Sequence, residues 1–312
     1  MTSYAFIFSP NNSGTTIMSQ YLEANIEGAY LPPFGNNEGQ MAPNVKPIMR
    51  GGSKAWNPDA TLNWKIIKHE WDKLAQAEEK TIFIEASPPN ILRVEEILGL
   101  FKDRKFIFSL SSPYSYIASH AFSRLETEYN RAGKHLPRSP EKCFDYLLQK
   151  AAKSWLEKAR IQQKNIKKYG NKSNVISYEE FCKTPFSLIE KLGLESKAKE
   201  AKSRKLEGKK NSQVTEIIDM GPKHLAFLGV DGIQKVNRAL DAERGIVDFF
   251  DYKLFSLKEC NITVSANTLL ALDGHKRRLN CEKRTSNYLL SKHRSRFLRS
   301  FFDKLTTSQQ NQ

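Results

Sequence analysis

The opening of the chain constrains its fold more than any later stretch. Tyr4 to Phe8 is an apolar run of strand length that passes directly into Ser9-Pro10-Asn11-Asn12-Ser13-Gly14-Thr15-Thr16. Proline, asparagine, serine and glycine in succession favour a turn. Ile17, Tyr21 and Leu22 then recur near helical spacing, which predicts a helix from about Thr15 to Ala24. A strand that is apolar throughout is buried on both faces, as strands are in a parallel sheet covered by helices.

The same order returns further along. Thr81-Ile82-Phe83-Ile84-Glu85 reads as a strand, followed by Pro88-Pro89 and a helix from about Ile91 to Leu100. Lys105 to Leu110 is the next strand, Ser111-Ser112-Pro113 its turn and Tyr114 to Tyr129 its helix. A long helix from about Glu141 to Tyr169 precedes a short strand at Asn174 to Ser177. This alternation predicts a P-loop-like three-layer α/β fold, a central parallel sheet flanked by helices. The expected organisation is one domain over residues 1–305 with a flexible tail at 306–312. Pro32, Pro33, Pro43, Pro47 and Pro58, with Gly35, Gly39, Gly51 and Gly52, mark the stretch from Leu31 to Trp64 as a structured substrate loop. Beyond Leu194, short helices are expected at Leu254 to Leu257 and Ile262 to Leu272, and a basic amphipathic helix at Tyr288 to Leu305.

At 312 residues and 39% hydrophobic content, the chain can bury a core without disulfides or a structural metal. Cys143, Cys182, Cys260 and Cys281 lack paired spacing, which fits reduced thiols rather than a zinc site. The first apolar run is too short for a secretory leader, no segment has the length of a membrane span, and a cytoplasmic protein is expected. The net charge of +15 is concentrated in Lys197 to Lys210 and Lys276 to Lys304. Such runs attract anions. The sequence has no zinc-finger spacing, aromatic RNA-binding signature or basic heptad region, so neither nucleic acid nor membrane is the expected partner.

Glycine, hydroxyls and backbone N–H groups at a helix start form an arrangement that holds anionic oxygens. Gly14 permits close backbone approach, and Asn12, Ser13, Thr15 and Thr16 are candidate ligands. A Walker ATPase needs Gly-Lys-Ser/Thr at the end of this loop, and the chain has Gly14-Thr15-Thr16 instead.

Asn12-Ser13-Gly14-Thr15-Thr16 resembles the Pro-Lys/Arg-Ser-Gly-Thr-Thr loop of the nucleotide-dependent sulfotransferases, which binds the 5′ phosphosulfate of 3′-phosphoadenosine 5′-phosphosulfate (PAPS). Phe106 to Pro113 followed by Ser119 resembles the family's 3′-phosphate strand and helix, where an arginine stands eight residues before the serine. Glu85-Ala86-Ser87-Pro88 is similar to the family's Glu-Lys-Ser-Pro, and Val175 to Phe181 to its strand followed by Tyr-Glu-Asp-Leu. The resemblance covers about Tyr4 to Leu194. It implies transfer of a sulfonate to a hydroxyl or nitrogen of a small-molecule alcohol, phenol or amine, leaving 3′-phosphoadenosine 5′-phosphate (PAP), with no metal required and a homodimer as the family's common state. Asn12, Ala86 and Ser111 stand where the family carries basic residues, and Arg277 and Arg278 are candidates to supply the missing charge. The departures keep open a catalytically weak nucleotide-binding protein and, beyond that, a nucleotide-dependent kinase.

Glu38, in Phe34-Gly35-Asn36-Asn37-Glu38-Gly39-Gln40, resembles the glutamate of the acceptor-activating loop of some sulfotransferases. That implies Glu38 as general base, with Gly35 and Gly39 giving the loop freedom to bring the carboxylate to the acceptor. His69 is the competing base, on an expected helix bearing Lys65, Lys68 and Glu70.

Overall fold

The computed structural model describes residues 2–121, 140–197, 217–256 and 259. Five strands form one sheet: β1 (Ser3–Phe8), β2 (Ala29–Tyr30), β3 (Ile82–Glu85), β4 (Arg104–Leu110) and β5 (Val175–Ser177). Their order is β2-β3-β1-β4-β5, and every pairing is parallel. The helices are α1 (Thr15–Asn25), α2 (Lys46–Arg50), α3 (Trp64–Ala77), α4 (Val94–Leu100), α5 (113–121), α6 (Pro140–Tyr169), α7 (Tyr178–Lys183), α8 (Ser187–Leu192), α9 (Gly221–Asp241) and α10 (Arg244–Phe249). This is the α/β architecture expected from the alternating elements.

Alternation along β1 divides the core into two layers. Ala5 and Ile7 face α1, α7 and α8, packing with Met18, Tyr21, Phe181 and Leu188. Tyr4, Phe6 and Phe8 face the other way, onto Ile67 and Trp71 of α3 and Ile97 of α4. On that second face the rings of Tyr4, Phe6 and Phe8 stack in sequence, with centroids 5.7 and 5.6 Å apart. Burying one large aromatic side chain contributes about 1.5–3 kcal/mol, so both layers hold β1 at the centre of the sheet.

The chain divides into two compact units. The first, Met1–Pro113 with Leu156–Met220 and Gly245–Tyr252, contains the whole sheet. The second comprises Tyr114–Trp155, Gly221–Arg244 and Lys253–Gln312. Within the second unit α9 bends at Gly229, whose φ of 64° suits glycine. Lys235 pairs with both Asp145 and Asp231 at 2.7 Å.

Three local expectations need correction. The helix expected from Ile91 begins at Val94, because Pro88-Pro89 open a 3-10 turn over Pro88–Leu92 first. The stretch after Leu31 is partly helical, with 3-10 turns at Gly39–Met41 and Gly51–Trp56 on either side of α2. Residues 254–256 are irregular rather than helical. Tyr114 Oη accepts the Phe255 N–H at 2.9 Å and the Asn237 amide donates to Phe255 O at 2.8 Å, so side chains take the groups a helix would use internally. The helices expected at Ile262 to Leu272 and Tyr288 to Leu305, and the tail at 306–312, lie outside the described residues.

Candidate anion and acid-base site

Because β1, β3 and β4 are parallel and in register at Phe6 with Glu85 and Phe8 with Phe108, their C-terminal ends open on one edge. From β1 the chain crosses towards β2 and β3, and from β4 it crosses the other way to β5. The gap between the ends of β1 and β4 is thus a topological switch point, where parallel sheets bind ligands. Gln162 of α6, fully buried, spans that gap: its amide donates to Phe8 O at 2.7 Å and to Ser109 O at 2.9 Å.

The loop from Ser9 to Gly14 rises from this point. Asn12 has φ 60° and Gly14 has φ 77°, both left-handed. Backbone of this kind turns consecutive N–H groups to one side, and asparagine is among the few residues besides glycine that adopt it readily. Gly14 caps α1 with no side-chain cap hydrogen bond, and the first turn of α1 carries no acidic residue. Neither the cap residue nor the first turn of α1 therefore offsets its positive end. Ser13 is buried, whereas Asn12, Gly14, Thr15 and Thr16 are half-exposed.

Gly14 has a second reason to be glycine. A Cβ there would lie 2.2 Å from Cδ2 of Tyr178, the first residue of α7. The close approach expected of a ligand is thus already made, on one side, by a tyrosine ring. Tyr178 is buried and its hydroxyl donates to Ile218 O at 3.0 Å.

Ser111 joins the loop from β4. Its Oγ lies 3.3 Å from Asn12 O and 3.3 Å from Ser13 Oγ. The next N–H, of Ser112, donates to Glu179 Oε1 at 2.9 Å, and Glu179 Oε2 also accepts from Tyr252 Oη at 3.2 Å. An acidic side chain thus takes a backbone donor just before α5, where the sequence resemblance puts a 3′ phosphate. Burial pushes the Glu179 carboxyl up from its ordinary value, against the hydrogen bonds that lower it. Ser119 sits half-exposed on α5. Arg277 and Arg278 lie outside the described residues.

Glu38 follows α1 and β2 on a half-buried turn, where the Gln40 amide donates to its Oε2. Burial raises its pKa, while the Gln40 bond and the charge of Arg50 lower it. Glu85, at the end of β3, is 1% exposed. Its Oε2 accepts from Gly39 N at 2.8 Å, and its Oε1 accepts from Ser87 N and Asn90 Nδ2, both at 2.9 Å. Burial pushes this carboxyl up to about 7; three hydrogen bonds from Ser87 and Gly39 oppose the rise, and the charge of Glu38 adds to it.

Gly39 is not the loose joint expected from the sequence. A Cβ there would meet Glu85 Oε2 at 2.2 Å and Trp71 Nε1 at 2.9 Å. Trp71 Nε1 donates to Gly39 O at 3.2 Å, and Gln40 N donates to Ser87 Oγ at 3.1 Å. Trp64 and Trp71 are core residues of α3, and Trp56 is exposed. His69 is exposed on α3.

The sequence brought Asn12, Ser13, Gly14 and Ser111 to attention, and the fold places them together. It missed Gln162, Tyr178 as the partner of Gly14, Arg50 beside Glu38, and the anchoring of Gly39 by Glu85. A carboxylate ending an apolar strand was the one visible signal for the last of these. Buried side-chain oxygens without a hydrogen-bond partner also gather on these segments: Ser9 Oγ, Ser109 Oγ, Gln40 Oε1 and Asn90 Oδ1. Such atoms at a strand-end edge fit a site that binds a polar ligand. A separate cavity of about 550 Å³, bordered by Leu110, Ser177, Lys191, Phe249 and Tyr252, includes neither the first loop nor Glu38.

Sheet order, helices on both faces and an anion-type loop after the central strand define the class, a three-layer P-loop-like α/β protein. No protein-family model and no curated protein matches the sequence. Among solved structures the chain is similar to a sulfotransferase domain from the curacin biosynthetic pathway, at 16% identity and TM-score 0.48, over 82% of this chain and 99% of that one. It is also similar to a sulfotransferase from Alicyclobacillus acidocaldarius, at 14% identity and TM-score 0.41, over 83% of this chain and 99% of that one. Among the described residues, no helix is long and apolar enough to cross a membrane.

Proposed function

We propose that the chain is a cytoplasmic sulfotransferase that moves a sulfonate from PAPS to a hydroxyl or nitrogen of a small-molecule acceptor, leaving PAP. The observation that carries the reading is the pairing of two features on one sheet edge: an uncapped, left-handed loop at the head of α1, and a half-buried carboxyl, Glu38, whose pKa burial raises. The first suits an anionic donor and the second proton removal from an acceptor.

The residues present fit the donor's 5′ side. Backbone N–H groups of residues 13–16 and the hydroxyls of Ser13, Thr15 and Thr16 are the ligands, each charge-assisted hydrogen bond contributing about 1.5–3 kcal/mol. Glu38 takes the proton from the acceptor as the new bond to sulfur forms. Arg50, the cation that acts on Glu38, is a candidate to offset charge where Asn12, Ala86 and Ser111 are neutral. His69 is the competing base, and Ser119, Arg277 and Arg278 are assigned to the 3′ phosphate.

A second reading, a nucleotide-binding protein with weak or no catalysis, is favoured by two observations. Ser111 is spent on the loop itself, and Glu179 occupies the Ser112 N–H. The test incubates purified protein with PAPS carrying labelled sulfur and a broad panel of alcohols, phenols and amines. Label in an acceptor supports the transferase. Binding of PAP without transfer supports the second reading, and labelled phosphate moving from ATP instead supports a kinase. Equal PAP affinity in Arg277→Ala, Arg278→Ala and wild type removes both arginines from the site.

A further inference from the structure

Glu85 is a buried ionisable group that the reaction above does not use. Its surroundings are unusual in being all donors: two backbone N–H groups and one amide N–H converge on its two oxygens. One of those donors is the residue directly after Glu38. Gly39 is further clamped through its carbonyl by Trp71, and Gln40 through its N–H by Ser87. The Glu38 turn is therefore fastened at three consecutive backbone groups, two to the end of β3 and one to α3.

We propose that Glu85 is a positioning residue: by accepting the Gly39 N–H it fixes where the Glu38 carboxyl sits, and the charge of Glu38 in turn sets how readily Glu85 gives up its own proton.

Among the described residues, the charged groups acting in this cluster are Glu85, Glu38 and, toward Glu38, Arg50. Ser87, Asn90, Gly39 and Trp71 contribute neutral donors. When Glu85 is an anion it accepts from Gly39 at full strength, and the charge of Glu38 opposes its ionisation. When it is protonated, the oxygen bearing the proton is a poor acceptor, and the hold on Gly39 weakens. With its carboxyl pushed up to about 7, both states are populated near neutral pH. The two carboxyls titrate as a pair, so a pH–rate profile reports their joint behaviour. The catalytic consequence rests on the role proposed for Glu38; the coupling between the two carboxyls does not.

Glu85→Gln and Glu38→Gln separate these effects. Glutamine offers one acceptor where glutamate offers two, so an amide nitrogen faces either Gly39 N–H or the Ser87 and Asn90 donors. Protein labelled with 13C at glutamate carboxyls and 15N at glycine is titrated by NMR without donor or acceptor. In wild type the Gly39 amide proton should shift with a midpoint near that of Glu85, about 7. In Glu38→Gln the Glu85 midpoint should fall by about half a pH unit or more, and in Glu85→Gln the Gly39 amide should exchange about tenfold faster or more. An unchanged Glu85 midpoint in Glu38→Gln with unchanged Gly39 exchange in Glu85→Gln overturns the proposal. Should either variant not fold, wild type alone decides, since a Gly39 amide that stays fixed between pH 5 and 9 overturns it too. A protein that transfers no sulfonate leaves this measurement intact and counts only against the transferase.

Discussion

Replacing Gly14 with alanine tests whether the loop's shape is set by backbone conformation, by the Tyr178 ring, or by both. At φ 77° an L side chain costs about 1–2 kcal/mol. The new Cβ would also stand 2.2 and 2.4 Å from Tyr178 Cδ2 and Cε2, so ring or loop must give way by more than an ångström. Overpacking of that kind costs about 1–3 kcal/mol, giving a total loss of about 2–5 kcal/mol. Urea denaturation of Gly14→Ala, Tyr178→Ala and the double variant measures the two parts. In the Tyr178→Ala background only the backbone part remains, so Gly14→Ala should cost about 1–2 kcal/mol there. An equal cost in both backgrounds would show that the ring is not what excludes a side chain. A loss below about 0.5 kcal/mol in the wild-type background would refute both halves of the reasoning.

Glu38→Gln should lower sulfonate transfer by about a hundredfold or more while nucleotide affinity stays near normal, with His69→Ala keeping substantial activity; wild-type turnover by Glu38→Gln across pH removes the base. Gln162→Leu strands Phe8 O and Ser109 O and should cost about 2–4 kcal/mol in chemical denaturation. Glu85 carries a raised carboxyl, about 7 against an ordinary 4.5, so its contribution to stability is complete below pH 4.5 and is lost as pH rises through 7. Wild type should therefore lose up to about 3 kcal/mol relative to Glu85→Gln between pH 4.5 and 8, read as the change in the difference between their urea midpoints.

Where the sequence was legible, local pattern coincided with burial. Tyr4 to Phe8, Thr81 to Glu85 and Lys105 to Leu110 are apolar runs bounded by turn residues, and each became a strand of the parallel sheet within a residue of its expected ends. The two-residue β2 has too few residues to show a period, and its pairing with β3 depends on a segment some fifty residues away. Phe255 reads as part of an apolar run, but Tyr114 and Asn237 claim its backbone. The site followed the same division. The anion-type loop was visible because its chemistry is contiguous, from Asn12 to Thr16. The reasons behind Gly14 and Gly39 were not, because the atoms that forbid a side chain belong to Tyr178 and Glu85, distant in sequence.

The left-handed conformation of Asn12 bears on how this loop can change. Lysine or arginine at this position would bring charge to the loop but would have to hold φ near 60°, where a long side chain costs about 1–2 kcal/mol more than glycine. Asparagine tolerates that geometry. Charge and curvature therefore compete for a single residue, and a variant seeking stronger anion binding through Asn12→Lys must first recover the strain from the anion itself. Protein without nucleotide should then resist the exchange, and protein saturated with nucleotide should accept it.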